Sequence, residues 1–408
     1  MTGRNPGADI PGTLLLDPAV LDDPYPFYER LRREAPMWQV PGTNVFLATS
    51  FEVIDEIVGR TDDFSNAFLY LLYRNSDGLP QQYRFPREIG GALVSADPPL
   101  HTQQRRAVFP ALVAKRMATL EPEIEQLARH LIRDFVAAGG GDFMDAVANA
   151  LPIRVISDLV GFRDSDPDQL LKAAFDSTLM VAATHTLEKL QQLIGATDNI
   201  GVWVADEILA GDAPDDVLRG TIAHAIANGD LEFVAGVAIL HNLLSAGGES
   251  TTSLIGNATR ILAEHADLQD RLRAEPDLVP AFIEEVLRFE SPFRMMMRSV
   301  PADTTLREVE VPAGATVLVF FSAANRDPAE YEDPERNRLD RDHPKSHLAF
   351  GRGVHHCVGA PLARLEGNIA IAQLLAATSS ICLAPNARPQ RVESLMVRRH
   401  ETLPLVVQ

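Results

Sequence analysis

Apolar residues recur at helical spacing along most of the chain between Pro26 and Ala377, with only short stretches of strand-like alternation. The pattern predicts helices over 25–34, 117–138 and 151–160. The second stops at Gly139-Gly140-Gly141, and the third carries Pro152 in its first turn, where proline is tolerated. A long mixed region, 168–209, reads as helix with a break near Gly195. Residues 37–40 and 44–48 read as a hairpin across Pro41-Gly42, while 309–311 and 316–321 flank a second turn at 312–314. Residues 1–22 are expected to be an irregular N-terminal extension. From 325 to 352 the chain is rich in Asp, Pro and Arg and has no period; a loop that long inside a compact domain is usually functional. The expectation is a mainly α fold with small β-sheets.

The longest helix candidate, 231–265, would cross about 50 Å at 1.5 Å per residue. Its stripe includes Leu240, Leu244, Ile255 and Leu262, yet its centre reads Ala246-Gly247-Gly248-Glu249-Ser250-Thr251. Two glycines inside a helix cost about 1 kcal/mol each relative to alanine. Two readings are open. The glycines permit a close helix crossing with Glu249 solvated, or they make room for a flat ligand or small molecule with polar groups in reach.

Composition narrows the function. Of 408 residues, 46% are hydrophobic and 23% charged, enough for a large core without covalent staples. Two cysteines exclude a disulfide scaffold. A net charge of −19 disfavours nucleic acid and anionic membranes as principal partners. No stretch resembles a signal peptide, and no apolar run approaches the roughly 18 residues of a membrane anchor. These features read as a cytoplasmic protein.

The most informative stretch is Phe350-Gly351-Arg352-Gly353-Val354-His355-His356-Cys357-Val358-Gly359, followed by a helix from Pro361. Glycines at 351, 353 and 359 allow positive φ and close backbone approach. Loop amides around a sulfur beside a helix N-terminus favour thiolate, which is a strong axial ligand for heme iron. Zinc is a rival, but adjacent His355, His356 and Cys357 rarely all face one ion, and no fourth ligand stands at zinc-finger spacing. A hydrolytic cysteine is a second rival without a local signature. Cys382 reads as a small buried hydrophobe.

The run Phe350-x-x-Gly353-x-x-x-Cys357-x-Gly359 resembles the heme-binding loop of the cytochrome P450 monooxygenases. Glu285-x-x-Arg288 resembles the family's Glu/Arg pair, and Ala246-Gly247-Gly248-Glu249-Ser250 its oxygen-binding helix kink. Asn325-Arg326-Asp327-Pro328 and the stretch 333–341 resemble the segments leading to the cysteine loop. The motifs occur in the family's order. The resemblance implies one domain over 1–408, a helical bundle around buried heme b (iron protoporphyrin IX), with Cys357 as the metal ligand. It implies contacts to the cofactor from Ala246, Gly247, Phe350, Gly351, Val358 and Gly359. It assigns the propionates to His101, Arg105, Arg298 and His355, with Arg106 as the alternative to Arg105, which the register with His101 favours. It also implies a structural triad of Glu285, Arg288 and Arg341, with Arg336 as the fallback; Asn337 stands where the family often has Phe. Proton delivery falls to Glu249 and Ser250, with Thr251 as the alternative hydroxyl. A pocket for a small apolar substrate would draw on Leu244, Gly248, Phe293, Met295, Met296 and Met396, together with the aromatic run 68–73 and the stretch 394–397.

The implied reaction is oxidation of that substrate by O2 with two external electrons. They would come from a ferredoxin or flavodoxin with its NAD(P)H reductase, docking on Arg105, Arg106, Lys115, Arg116, Arg352 and Arg364. A peroxide-driven peroxygenase and a non-enzymatic heme sensor are the alternatives; the acid and hydroxyl at 249–250 argue against the first and the missing output module against the second.

Overall fold

A computed structural model describes residues 7–408 apart from 68, 86–90, 163, 212 and 215; the side chains of 111, 114 and 115 are also outside the description. The N-terminal segment is more regular than its composition suggests. A 3-10 turn, Gly12–Leu16, leads into α1 (Pro18–Asp22), whose N-terminus is capped by the Asp17 carboxylate accepting from Ala19 N. Leu15, Leu16 and Leu21 are buried, and this burial orders the segment.

The chain continues through α2 (Tyr25–Glu34), β1 (Met37–Gln39), β2 (Val45–Ala48), α3 (Phe51–Gly59), β3 (Tyr70–Arg74) and β4 (Pro80–Arg84). Then come α4 (Leu100–Val108), α5 (Ala114–Ala137), β5 (Gly140–Asp142), α6 (Ala150–Val160), α7 (Pro167–Met180), α8 (Leu187–Leu209) and α9 (Leu218–Ala227). The break expected near Gly195 lies instead between α7 and α8, where Thr186 accepts from Lys189 N as the cap of α8; Gly195 is helical. Next are α10 (Phe233–Glu264), α11 (Ala266–Ala274), α12 (Val279–Phe289), β6 (Met296–Ser299), β7 (Thr304–Leu306), β8 (Val309–Val311), β9 (Thr316–Val319) and α13 (Phe321–Ala324). The C-terminal part is α14 (Ala360–Ala377), β10 (Ile381–Leu383), β11 (Gln390–Arg391), β12 (His400–Thr402) and β13 (Pro404–Val407).

The first hairpin forms as its turn predicts, with Trp38 opposite Leu47. The second pair of runs separates. β8 pairs back onto β7 through Arg307 and Glu308, both at positive φ, while β9 joins β2 in parallel and β6 antiparallel. The resulting sheet has the order β1-β2-β9-β6. Cys382 is exposed, contrary to the buried reading. Its neighbour Ile381 on the edge strand β10 takes the buried face, and alternation turns the thiol outward.

The main core is helical, and α10 runs through it. Leu254, Ile255, Ala258, Ile261 and Leu262 are all 1% exposed or less. The glycines do allow a close crossing, but Glu249 is not solvated: it is 1% exposed and paired with Arg399. A Cβ at Gly247 would sit 2.8 Å from Ile156 of α6, and one at Gly248 would sit 3.2 Å from Ala174 of α7. Gly247 and Gly248 therefore permit the close approach of α6 and α7 to α10.

Candidate active site

Cys357 lies just before α14, where the backbone N–H groups of Gly359 and Ala360 favour its thiolate. Burial pushes the thiol pKa up, against those amides and the nearby Arg105 and Arg364. Cys357 as a residue is nevertheless exposed, although much of α14 behind it is interior. Cys357 N donates to Phe350 O at 2.8 Å, closing the loop, and Gly351 and Gly353 take φ of +66° and +70°. Gly359 does not need the left-handed region, at φ −85°; the structure uses its amide. Phe350 is stacked by Arg364 at 4.5 Å, and Val358 packs against the main core.

Beside this loop His101 and His355 stack at 4.1 Å between ring centroids. His101 Nδ1 and His355 Nε2 are buried without hydrogen-bond partners. Burial, His101, Arg298 and Arg105 together hold His355 down at about 3. Arg298, on β6, is buried, donates to Met297 O at 2.8 Å and makes no ion pair among the described residues; burial lowers its pKa to about 10. Arg105 stacks on Phe109, the residue that follows α4. Two guanidinium groups and two imidazoles with free nitrogens thus meet here, with Asp97 as the acid that acts on His101 and Arg298 and no direct ion pair to Arg298 among the described residues, which suits an anionic ligand.

The loop rests on α12. Arg288, with 1% of its side chain exposed, donates to both Glu285 oxygens at 2.9 and 2.7 Å. Arg341 Nε reaches the same carboxylate at 2.9 Å; Arg336 offers its carbonyl oxygen to Arg288. Glu284 is a residue that sequence reading passed over. It accepts from Arg364 Nε at 2.6 Å and pairs with His347 Nε2 at 3.0 Å. Burial pushes its carboxyl up, but His347 and Arg364 outweigh this and hold it at about 2. Its signal was a second glutamate directly before the Glu-x-x-Arg pair.

On α10, Ala246 is exposed and Ser250 half-buried in an otherwise interior stretch, and Ser250 Oγ donates to Ala246 O at 2.7 Å. Thr251 is 3% exposed and shares its helix row with Gly247, facing α6. Glu249 is 1% exposed and held on both sides: Arg399 Nε donates to Oε1 at 2.7 Å, and Thr178 Oγ1 to Oε2 at 3.0 Å. Burial raises its pKa, opposed by Arg399 and Thr178. Neither partner carries a sequence signal, since each comes from a different element.

The profile of the cytochrome P450 family matches residues 227–400. "Cytochrome P450 144" of Mycobacterium tuberculosis is 37% identical over 392 residues, covering 95% of this chain and 90% of its own. The chain belongs to the cytochrome P450 family. The "Mycinamicin IV hydroxylase/epoxidase" of Micromonospora griseorubida is 34% identical over 79% of this chain and 81% of its own. The crystal structure of CYP109E1 from Bacillus megaterium in complex with testosterone matches with a TM-score of 0.86 and 29% identity, over 95% of this chain and 98% of that one.

This cytochrome P450 is a monooxygenase by its relatives, and the family implies a heme bound through a cysteine thiolate. The residues present fit that group. The amides of Gly359 and Ala360 favour the thiolate of an exposed cysteine, and unpartnered imidazole nitrogens stand beside Arg298, which makes no direct ion pair among the described residues. Bacterial members of the family generally take apolar substrates and external redox partners. Among the described residues, no helix is long and apolar enough to cross a membrane.

The expected pocket residues divide. Leu244 and Met295 are fully buried, and Met295 sits in the second core beside Leu72 and Leu395. Met296 and Met396 are half-buried, and Phe293 forms a β-bridge with Val397. The aromatic run forms most of β3, which pairs with β4 as a hairpin, with Leu71 and Leu72 buried; Phe68 lies outside the described residues. The docking face thins as well. Arg352 pairs with Asp55, Arg364 is committed to Glu284, and Arg116 donates to Asp216 O. The side chain of Lys115 lies outside the described residues. Arg106 is exposed and makes no ion pair among the described residues.

Proposed function

We propose that Cys357 is the thiolate ligand of heme b and that the protein inserts oxygen into an apolar organic substrate. The observation that carries this is an exposed Cys357 at the foot of α14, in a loop bent at Gly351 and Gly353, where the amides of Gly359 and Ala360 favour its thiolate. His101, Arg105, Arg298 and His355 would hold the propionates. The heme, when bound, supplies the centre at which O2 is reduced. Glu285, Arg288 and Arg341 keep the segment before the loop in place, and Glu284 clamps Arg364 and His347 behind Phe350.

Ser250 presents its hydroxyl on the same row as Ala246, and Glu249 holds or releases a proton at its carboxyl. Arg399 and Thr178 orient that carboxyl and exclude water from it. Serine lacks the methyl group that stiffens χ1 in threonine, and its bond to Ala246 O restores part of that order. Ser250→Ala is expected to divert severalfold more of the consumed NAD(P)H to hydrogen peroxide, with Thr251→Ala near wild type. Unchanged coupling in Ser250→Ala would assign the hydroxyl elsewhere.

The electron donor in this reading is a ferredoxin or flavodoxin of the cytoplasm, meeting the face that carries Arg106. Arg106→Glu is expected to slow reduction by such a donor about tenfold at low ionic strength and to flatten its salt dependence, because rim charges act on encounter. Stopped-flow reduction over a salt series checks this; equal rates would move docking off that face.

The test of the whole reading is the spectrum of the reduced protein with CO, where thiolate ligation gives a strongly red-shifted Soret band. Substrate turnover with peroxide alone, and none with the reductase system, would favour the peroxygenase.

A further inference from the structure

The substrate side of α10 is not uniformly apolar. Ala238, Asn242, Ala246 and Ser250 follow one another at intervals of four, and all have accessible surface, while Leu240, Leu243, Leu244, Ser245, Gly248 and Glu249 are buried. Four residues at 1.5 Å make about 6 Å, so the row is a strip with one carboxamide about 6 Å from Ala246 along the axis. Asn242 is the polar member of this strip apart from Ser250, whose hydroxyl is spent on Ala246 O.

The orientation of the carboxamide is fixed by chemistry. Asn242 Nδ2 donates to Ala92 O at 3.2 Å, and a carbonyl oxygen can only accept. The NH2 edge therefore faces Ala92, and Oδ1 faces the other way. Oδ1 has no partner among the described residues and is not among the buried unpartnered atoms, so it is on the accessible side. Ala92 O also receives Ser95 N at 3.2 Å and Ser95 Oγ at 3.3 Å, which braces the far end of the contact. Asn242 is thus a held acceptor in an alanine-lined strip, one step of four residues before Ala246.

We infer that Asn242 is a specificity-determining residue whose Oδ1 accepts from a hydroxyl or neutral N–H on an otherwise apolar substrate. This rests on the monooxygenase reading above, because it takes the Ala246 row to be the substrate side. A ligand that covers Oδ1 without offering a donor leaves the oxygen desolvated and unpaired, so it binds less tightly. A charged substrate group is disfavoured. Glu249 and Arg399 neutralise one another, and Asn242 brings no counter-charge. The donor on the substrate would lie about 6–12 Å from the oxidised carbon, one to two helical steps along the row.

The experiment uses heme-loaded enzyme and two matched pairs of probes: testosterone with its 17-O-methyl ether, and dodecan-1-ol with its methyl ether. Binding is read by the Soret spin-state shift and by calorimetry. The wild type is expected to prefer the alcohol of at least one pair by about ten- to a hundredfold, and Asn242→Leu to bring that ratio to near one. Thermal unfolding and heme content of Asn242→Leu check that the variant is folded; should it not fold, the wild-type ratio alone decides. No preference in the wild type, no binding of either alcohol, or a preference that survives in Asn242→Leu overturns the inference. The reduced CO spectrum of the same preparation separates the two levels. Without the thiolate band the functional reading fails; with the band and no discrimination only the assignment of Asn242 fails.

Discussion

Cys357→Ser is expected to remove the thiolate signature from the reduced CO spectrum and to take NAD(P)H-driven oxidation below detection. A ligating thiol must give up its proton, and this one is pushed toward the protonated form by burial. The amides of Gly359 and Ala360 and the charges of Arg105 and Arg364 work against burial, and the metal supplies the remainder. A serine hydroxyl meets the same burial with a far weaker acid, so the same surroundings cannot make it an anionic ligand. The expected product is a folded protein with reduced heme content and no red-shifted band. Cys382→Ser is the matched control, because that thiol is exposed on an edge strand and touches none of the loop. A thiolate band retained in Cys357→Ser would refute the ligand assignment whatever the activity.

The second large effect is expected from Arg288→Ala. Its guanidinium donates five times: to Glu285 Oε2 and Oε1, to Asn325 O at 2.8 Å, to Pro334 O at 2.9 Å and to Arg336 O at 3.0 Å. Residues 325–352 contain no helix or strand, so these bonds replace the ladder that a regular element would supply. Removing the side chain strands the carbonyls of Asn325 and Pro334, leaves Arg336 O with Arg341 as its donor, and leaves Glu285 with Arg341 as its remaining cation. Breaking a buried pair from one side costs about 3–5 kcal/mol, a large part of the roughly 5–15 kcal/mol that holds a protein folded. Arg288→Ala should therefore unfold at markedly lower denaturant or be recovered without heme. Arg288→Lys should do little better, because an ammonium group cannot replace the guanidinium fork. Arg336→Ala should unfold near wild type, since that residue contributes its carbonyl to the network. An unchanged midpoint in Arg288→Ala would show that the segment is held by other means.

The difference between the readable and unreadable parts of the site follows from distance along the chain. The cysteine loop spans ten residues, and its glycines, aromatic and sulfur stand at spacings that one turn of backbone enforces. Glu285 and Arg288 are likewise neighbours on one helix face. The partner of Glu249 stands 150 residues away, its second partner 71 residues away, and the carbonyl that orients Asn242 150 residues away. None of those pairs leaves a period in the sequence, because their meeting depends on how α7, α10 and the C-terminal strands pack. The same limit explains the shorter errors. The glycines of α10 were ambiguous until Ile156 and Ala174 were seen against them. The run 316–321 chose β2 and β6 over its sequence neighbour β8.

What residue order alone determined was chemistry at short range: a sulfur in a glycine-bent loop before a helix, a Glu/Arg pair on one face, and a helical majority from the apolar period. Packing decided which long-range groups meet those motifs. It tied Glu249 to Arg399 and Thr178, committed Arg364 to Glu284, and turned one edge of Asn242 toward Ala92. The physical reason is that short-range geometry is dictated by bond lengths and helix pitch, whereas contacts between distant segments are settled only when the core closes and each buried polar atom takes whatever partner the neighbouring element presents.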